Sequence, residues 1–271
     1  MTSRARLLVT LEGYAVEGGF DQVGGPATCY SPTIALGRHP GPGAADDLWR
    51  YYESVLDFVP GLGFDGIRLT VEWARIEPRA GEIDTAALSR YVEVARYARS
   101  LGLDVTVVLI DAAWPAWLGQ EAWLLPWAAP YVIAHGRRVV EYLGDHVTGV
   151  LAFAQPNELV ANGYLRASAP PWRRSALTDA GFAHAQIGRI TDDLRKDDVV
   201  GCKLVTSSAV TSLDVAPEDL RTTRSSFTGS EFYVRSLVQG TGPTSVGVGL
   251  LVRHGNQWRV SASDELLSAL G

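Results

Sequence analysis

Short apolar segments recur along this chain, each ending in a polar or charged residue and each followed by a helix-like stretch. The clearest is Leu103–Ile110, nearly all Val and Leu, with Asp111 directly after it. A strand that reads as a continuous apolar run is covered on both faces, and parallel sheets achieve this with their crossover helices. Comparable segments are predicted at Leu7–Leu11, Gly66–Val71, Val147–Phe153, Val199–Thr206 and Val246–Val252. Between them lie amphipathic stretches. Asp46-Asp47 is expected to cap a helix burying Leu48, Tyr51, Tyr52, Val55 and Leu56. Asp84 caps the next, with Leu88, Tyr91, Ala95, Ala98 and Leu101 inward and Gly102 as its stop. Pro130–Leu143 and Ala176–Leu194 follow, the latter with Phe182, Ile187, Ile190 and Leu194 inward, and helical pieces are expected within 218–238. The Gly-, Pro-, Ser- and Thr-rich stretch 18–43 reads as a long loop. Such alternation leaves an α/β barrel or an open parallel sheet. With 271 residues, no internal repeat and no linker, one domain spanning 1–271 is expected.

The strand ends are where such folds put their chemistry, because loops there vary over a rigid scaffold. The fourth strand delivers Gln155-Pro-Asn-Glu158, so Gln155, Asn157 and Glu158 become candidates. Eight Trp, several of them at Trp114, Trp117, Trp123 and Trp127, are expected as flat walls for sugar-like or apolar ligands. The net charge of -6 and the lack of any Lys/Arg block argue against nucleic acid or an anionic membrane surface as partners. No segment is apolar enough to span a bilayer, and a cytoplasmic setting is expected. Cys29 and Cys202 are too few for a disulfide framework or a zinc site. The five histidines (His39, His135, His146, His184 and His254) are dispersed, so no metal is expected. Gly18-Gly19 and Gly24-Gly25 lack the residues of a phosphate loop or a dinucleotide fingerprint, and no cofactor is expected. Pro170-Pro-Trp-Arg-Arg174 reads as a solvated loop.

Several longer motifs resemble glycoside hydrolase family 1. They are Asp47-Leu-Trp-Arg-Tyr-Tyr52, Leu62-Gly-Phe-Asp-Gly-Ile-Arg-Leu-Thr-Val-Glu-Trp-Ala-Arg-Ile-Glu-Pro78 and Gly81-Glu-Ile-Asp84. Val107-Val-Leu-Ile-Asp-Ala-Ala-Trp-Pro115, Ala122-Trp-Leu124, Ala152-Phe-Ala-Gln-Pro156 and Gly163-Tyr164 continue in consistent order, and beyond about residue 210 the likeness fades. The resemblance implies a (β/α)8 TIM barrel and β-glycoside cleavage with retention. It also implies that the barrel is incomplete or atypically closed at its C-terminal end. The tail Val246–Val260 reads either as a sixth strand or as a hairpin turning at His254-Gly-Asn256.

The departures fall on the reacting groups. The family's acid/base Glu is matched by Gln155, and the Asn before it by Ala154. Its Tyr-Gln after the first strand is matched by Tyr14-Ala15, and its His-Trp after the third by Asp111-Ala112. Arg68 matches the arginine that sits against the family's nucleophile, while no Thr-Glu-Asn-Gly nucleophile motif occurs. Retaining hydrolysis needs two carboxylates about 5 Å apart, and a carboxamide can neither donate a proton at neutral pH nor attack. Ordinary β-glycosidase chemistry is therefore not expected.

What remains is Asp111, at a strand end among tryptophans, where desolvation raises a carboxyl pKa into a range useful for proton transfer. The competing expectation makes Asp111 a structural ion-pair partner of Arg68 or Arg75. Glu72 has a structural expectation, and Glu158 is an outside acid. The catalytic set is thus Asp111, Gln155 and Glu158, with Glu12, Tyr14, Arg68, Trp73, Trp114, Asn157 and Tyr164 around a small sugar-like or natural-product ligand. The leading expectation is isomerisation, cyclisation or elimination. The alternatives are a non-catalytic binding or partner protein that completes its barrel against another chain, and residual hydrolysis through Glu158 with Glu231 or Glu265; a homo-oligomer is among the expected assemblies.

Overall fold

The computed structural model describes residues 8–173, 177–208, 238–239, 250–254 and 257–261. Five strands, β1 (Leu8–Leu11), β2 (Gly66–Thr70), β3 (Asp104–Ile110), β4 (Gly149–Phe153) and β5 (Leu204–Ser208), pair in parallel and in chain order. A two-residue strand, β6 (Val238–Gln239), pairs antiparallel with β5. β7 (Leu250–His254) and β8 (Gln257–Ser261) form a separate antiparallel pair with His254 opposite Gln257. This antiparallel pairing agrees with the hairpin expectation for the tail; of the strand expected at Val246–Val252, Leu250–Val252 is strand but pairs with β8 and not with the parallel sheet, and 246–249 lie outside the described residues. The helical pieces expected within 218–238 lie outside the described residues.

Sequential parallel pairing with a helix between neighbouring strands is the TIM-barrel arrangement. In the first half the connections carry α1 (Gly13–Val16), α2 (Ser31–Ala35), α3 (Leu48–Leu56), α4 (Trp73–Ile76) and α5 (Thr85–Ser100). α6 (Ala128–Leu143), α7 (Pro156–Val160) and α8 (Leu177–Lys196) follow in the connections after β3 and β4. Asp84 caps α5 as its position requires, its Oδ1 accepting the N–H groups of Ala86 and Ala87 at 2.8 and 3.0 Å. The cap expected at Asp47 fails. That residue is left-handed (φ 51°) and caps no N–H through its side chain, and the helix is interrupted at the exposed Tyr51. Phe182, expected inward, is 42 % exposed and carries the Arg189 guanidinium over its ring at 5.8 Å.

The two faces of the sheet differ. Ile67, Leu69, Val105, Val107, Leu109, Val150 and Ala152 join the large core under the helices. Val108, Leu151 and Ala154 form a small separate cluster. Alternation along a strand puts Arg68, Thr70 and Thr106 on this second, concave face. Register aligns Thr10, Arg68, Thr106 and Gly149 across β1–β4, and Thr70, Val108 and Leu151 one step nearer the carboxyl end. The concave face is thus polar towards β1 and β2 and apolar towards β4.

Candidate active site

The carboxyl ends of β1–β3 bring together Glu12, Arg68, Thr70, Glu72 and Asp111. Asp111 is buried, and its Oδ2 accepts a hydrogen bond from Thr70 Oγ1 at 3.2 Å. Arg68 is only 6 % exposed, and its Nε finds no hydrogen-bond partner. Burial lowers its pKa, while the charges of Asp111 and Glu12 oppose that shift. Arg75, the other arginine considered for Asp111, is committed elsewhere: its Nε meets Glu17 Oε2 at 2.6 Å. Its guanidinium is sandwiched 4.2 Å from the Phe20 ring centre and 4.3 Å from that of Trp49.

Glu72 is the most deeply placed acid of the group. Its Oε1 accepts the Tyr14 main-chain N–H at 2.7 Å, and its own N–H donates to the Tyr91 hydroxyl at 2.9 Å. Tyr91 in turn donates to Glu17 at 2.9 Å. Burial, with Glu17 and Asp111 adding repulsion, pushes the Glu72 pKa well above the usual carboxylate range. The structure thus places a carboxyl group of raised pKa near Asp111, in a residue the sequence marked only as structural.

Around these acids stands an aromatic cluster from four loop segments. Tyr14 stacks on Tyr30 at 4.7 Å and tilts against Phe20 at 5.1 Å. Tyr30 meets His39 at 5.2 Å and the edge of Trp172 at 5.9 Å, and His39 meets Trp172 at 5.4 Å. An antiparallel bridge between Thr28 and Pro115 holds the loop after β1 against the loop after β3, with Cys29 N–H bonding Trp114 O at 2.9 Å. This bridge seats Tyr30 near Asp111, whose charge adds to burial in raising the Tyr30 pKa.

The expected tryptophan mouth is corrected at Trp114 and Trp123, which are buried, whereas Trp117 is half-buried and Trp127 is 45 % exposed. Trp114 is 1 % exposed, donates to Gly119 O at 2.7 Å and packs edge-on to the equally buried Trp123. Trp73 is also buried, stacked on His135 at 4.9 Å with its indole N–H on Glu77. Tyr164 is completely buried. None of these three offers a face to a ligand, because other protein atoms occupy them. Tyr30, His39 and Trp172 lie in aperiodic loops, and no spacing in the sequence marks them out.

At the end of β4, Gln155 precedes α7 and is partly exposed; its carbonyl accepts the Leu159 N–H. Ala154 joins Val108 and Leu151 in the apolar cluster, so the position that holds Asn in the resembling family presents only a methyl group. Asn157 lies in the first turn of α7. Glu158 accepts from Asn162 Nδ2 at 3.2 Å and pairs with Arg166 at 3.6 Å, an interaction ladder along its own helix. Glu231 and Glu265 lie outside the described residues. A separate cavity of about 680 Å³ is lined by Trp49, Arg75, Arg79, Asp84 and Arg90, but its arginines are each paired with a carboxylate. Among the described residues no group of three His, Cys, Asp or Glu is arranged to hold a metal ion, and no helix is long and apolar enough to cross a membrane.

A family model, glycosyl hydrolase family 1, matches residues 10–266. The chain belongs to glycosyl hydrolase family 1. Within the family it is 25% identical over 198 residues to a 6-phospho-beta-galactosidase of Clostridium acetobutylicum, covering 69% of this chain and 42% of that protein. It is 29% identical over 171 residues to a coniferin beta-glucosidase of Pinus contorta, covering 60% of this chain and 33% of that protein. Among solved structures it is similar to the virulence factor SghA of Agrobacterium tumefaciens, with a TM-score of 0.65 at 21% identity, over 75% of this chain and 47% of that one. An aphid myrosinase gives 0.67 at 16% identity, over 75% and 46%. The chain thus spans less than half the length of these family-1 proteins. The structural likeness at such identities carries the fold.

Proposed function

We propose that this family-1 chain performs proton-transfer chemistry on a sugar-like substrate, with Asp111 as acid/base and Gln155 orienting the substrate through its carboxamide. The observation that carries this reading is an exchange of groups between neighbouring strand ends. A carboxamide stands at the end of β4, where the family has its proton donor, and a carboxylate stands at the end of β3. A carboxamide gives and accepts hydrogen bonds but moves no proton at neutral pH. One carboxylate suffices for isomerisation, cyclisation or elimination, in which a single group takes a proton and returns it. Asp111, held by Thr70 and facing Arg68, has the fixed orientation such a transfer needs. The names of the relatives, glucosidases and a phosphogalactosidase, support a sugar-like ligand. Hydrolysis through Glu158 is disfavoured by its engagement with Asn162 and Arg166. A cytoplasmic setting is part of this reading, supported by two cysteines that form no disulfide.

The test is incubation of the protein with a panel of reducing sugars and aryl β-glycosides in D2O, read by NMR and by aglycone release. Deuterium entering a carbon-bound position, lost in Asp111→Asn and without aglycone release, is the expected result. Aglycone release that survives Asp111→Asn overturns the reading.

A further inference from the structure

The cavity of about 680 Å³ is walled by the loop after β1, α3, α4 and the start of α5, with Gly24, Gly25, Trp49, Arg75, Arg79 and Arg90 among its lining. Its three arginines come from different segments: Arg75 from α4, Arg79 from the connection that follows, and Arg90 from α5. Asp84 is the one carboxylate among the described wall residues. Its Oδ1 is taken by the Ala86 and Ala87 N–H groups that it caps.

Arg75 is fixed in place before any ligand arrives. Two rings sandwich its guanidinium, Nε donates to Glu17 and Nη2 to Gly18 O. Its side chain is only 10% exposed, yet Nη1 has no hydrogen-bond partner among the described residues. A nearly buried guanidinium with one amino group unmet favours an acceptor that enters from the cavity. Arg79 and Arg90 can supply the remaining donors. They pair with Glu82 at 2.8 Å and Glu93 at 3.1 Å, but both pairs are exposed, and neither glutamate lines the cavity. Exposed pairs of this kind contribute little, so either arginine can exchange its partner for a better acceptor at small cost.

We propose that this cavity binds a phosphate monoester of a small polar molecule, its phosphoryl oxygens accepting from Arg75, Arg79 and Arg90. Three forked donors around one space suit a tetrahedral oxyanion with several oxygens and two charges better than a carboxylate with two oxygens. The volume lies in the range of small-molecule sites and is far more than a bare oxyanion fills, so an organic group accompanies the phosphate. Room for it lies along Gly24, where a Cβ would meet nothing within 4 Å. This site does not depend on the role of Asp111.

The experiment is calorimetric titration of the full chain, at fixed ionic strength in chloride buffer, with glucose 6-phosphate, glycerol 1-phosphate, inorganic phosphate and glucose. The expected result is saturable binding of at least one ester, weaker binding of inorganic phosphate and none of glucose. Arg79→Ala and, separately, Arg90→Ala should each weaken ester binding about tenfold, with circular dichroism confirming the fold. Both side chains are exposed, so their truncation leaves the core untouched. Ester binding unchanged in both variants puts the phosphate elsewhere and overturns the proposal. Failure of both esters to saturate, or inorganic phosphate binding as tightly as the esters, overturns it from the wild-type protein alone.

Discussion

The Tyr14 main-chain N–H donates to Glu72 Oε1 at 2.7 Å, and Gly13 beside it lies so close that a Cβ there would stand 2.5 Å from Glu72 Cγ. The missing side chain at position 13 is what lets a buried acid fit under the first turn after β1. Gly13→Ala forces Glu72 or the turn to move. A loss of about 1–3 kcal/mol is expected, read as a lower urea midpoint with an unchanged m-value.

Arg75 is gripped from three sides, by the Glu17 carboxylate and the rings of Phe20 and Trp49. Arg75→Ala leaves Glu17, which is 2 % exposed, as an uncompensated buried charge. A destabilisation of about 3–5 kcal/mol is expected. Arg75→Lys should recover only part of it, because an ammonium lacks the flat surface that stacks between two rings. Thermal unfolding of the two variants side by side checks the order.

Glu72 makes stability fall with rising pH. Its folded-state pKa is raised by burial, so the native state holds a proton the unfolded chain releases. That contribution is complete below the ordinary carboxylate pKa and is lost as pH climbs towards the raised one. Glu72→Gln keeps an acceptor for the Tyr14 N–H without a titrating proton. Urea midpoints measured from pH 5 to 9 should fall more steeply in the wild type than in the variant.

His135 acts in the opposite direction. Completely buried against Trp73, with the Arg138 charge adding to the cost of protonation, its pKa is pushed down to about 3. The unfolded chain takes up a proton near pH 6.5 that the native state refuses, so stability is lost as pH falls from about 6.5 towards 3. His135→Phe preserves the stack and removes the titration. Its melting temperature should decline less between pH 6.5 and 4 than that of the wild type.

Restoring the family's acid should not restore family chemistry. Gln155→Glu, alone or with Ala154→Asn, supplies one carboxyl at the end of β4, while retaining hydrolysis needs two. Release of nitrophenol from aryl β-glycosides should stay at background, measured against an active family-1 enzyme.

Residue pattern alone dictates the scaffold and the losses. Apolar runs such as Leu103–Ile110 require cover on both faces, which dictates parallel strands with helices between them. Gln155 and Ala154 state which reacting groups are missing wherever the side chains point. Which residues surround Asp111 follows from packing between distant segments. Trp73 and Trp114 read as ligand walls until packing turned them into the core, since a large apolar ring is worth more buried than displayed. Tyr30, His39 and Trp172 meet because the connection after β1 packs against the connection after β4, a contact between segments that carry no periodic signal. Glu72 shows the same division. Its place after β2 is legible, but its raised pKa follows from burial beside Glu17 and Asp111, and proximity between residues far apart in sequence exists only once the chain has folded.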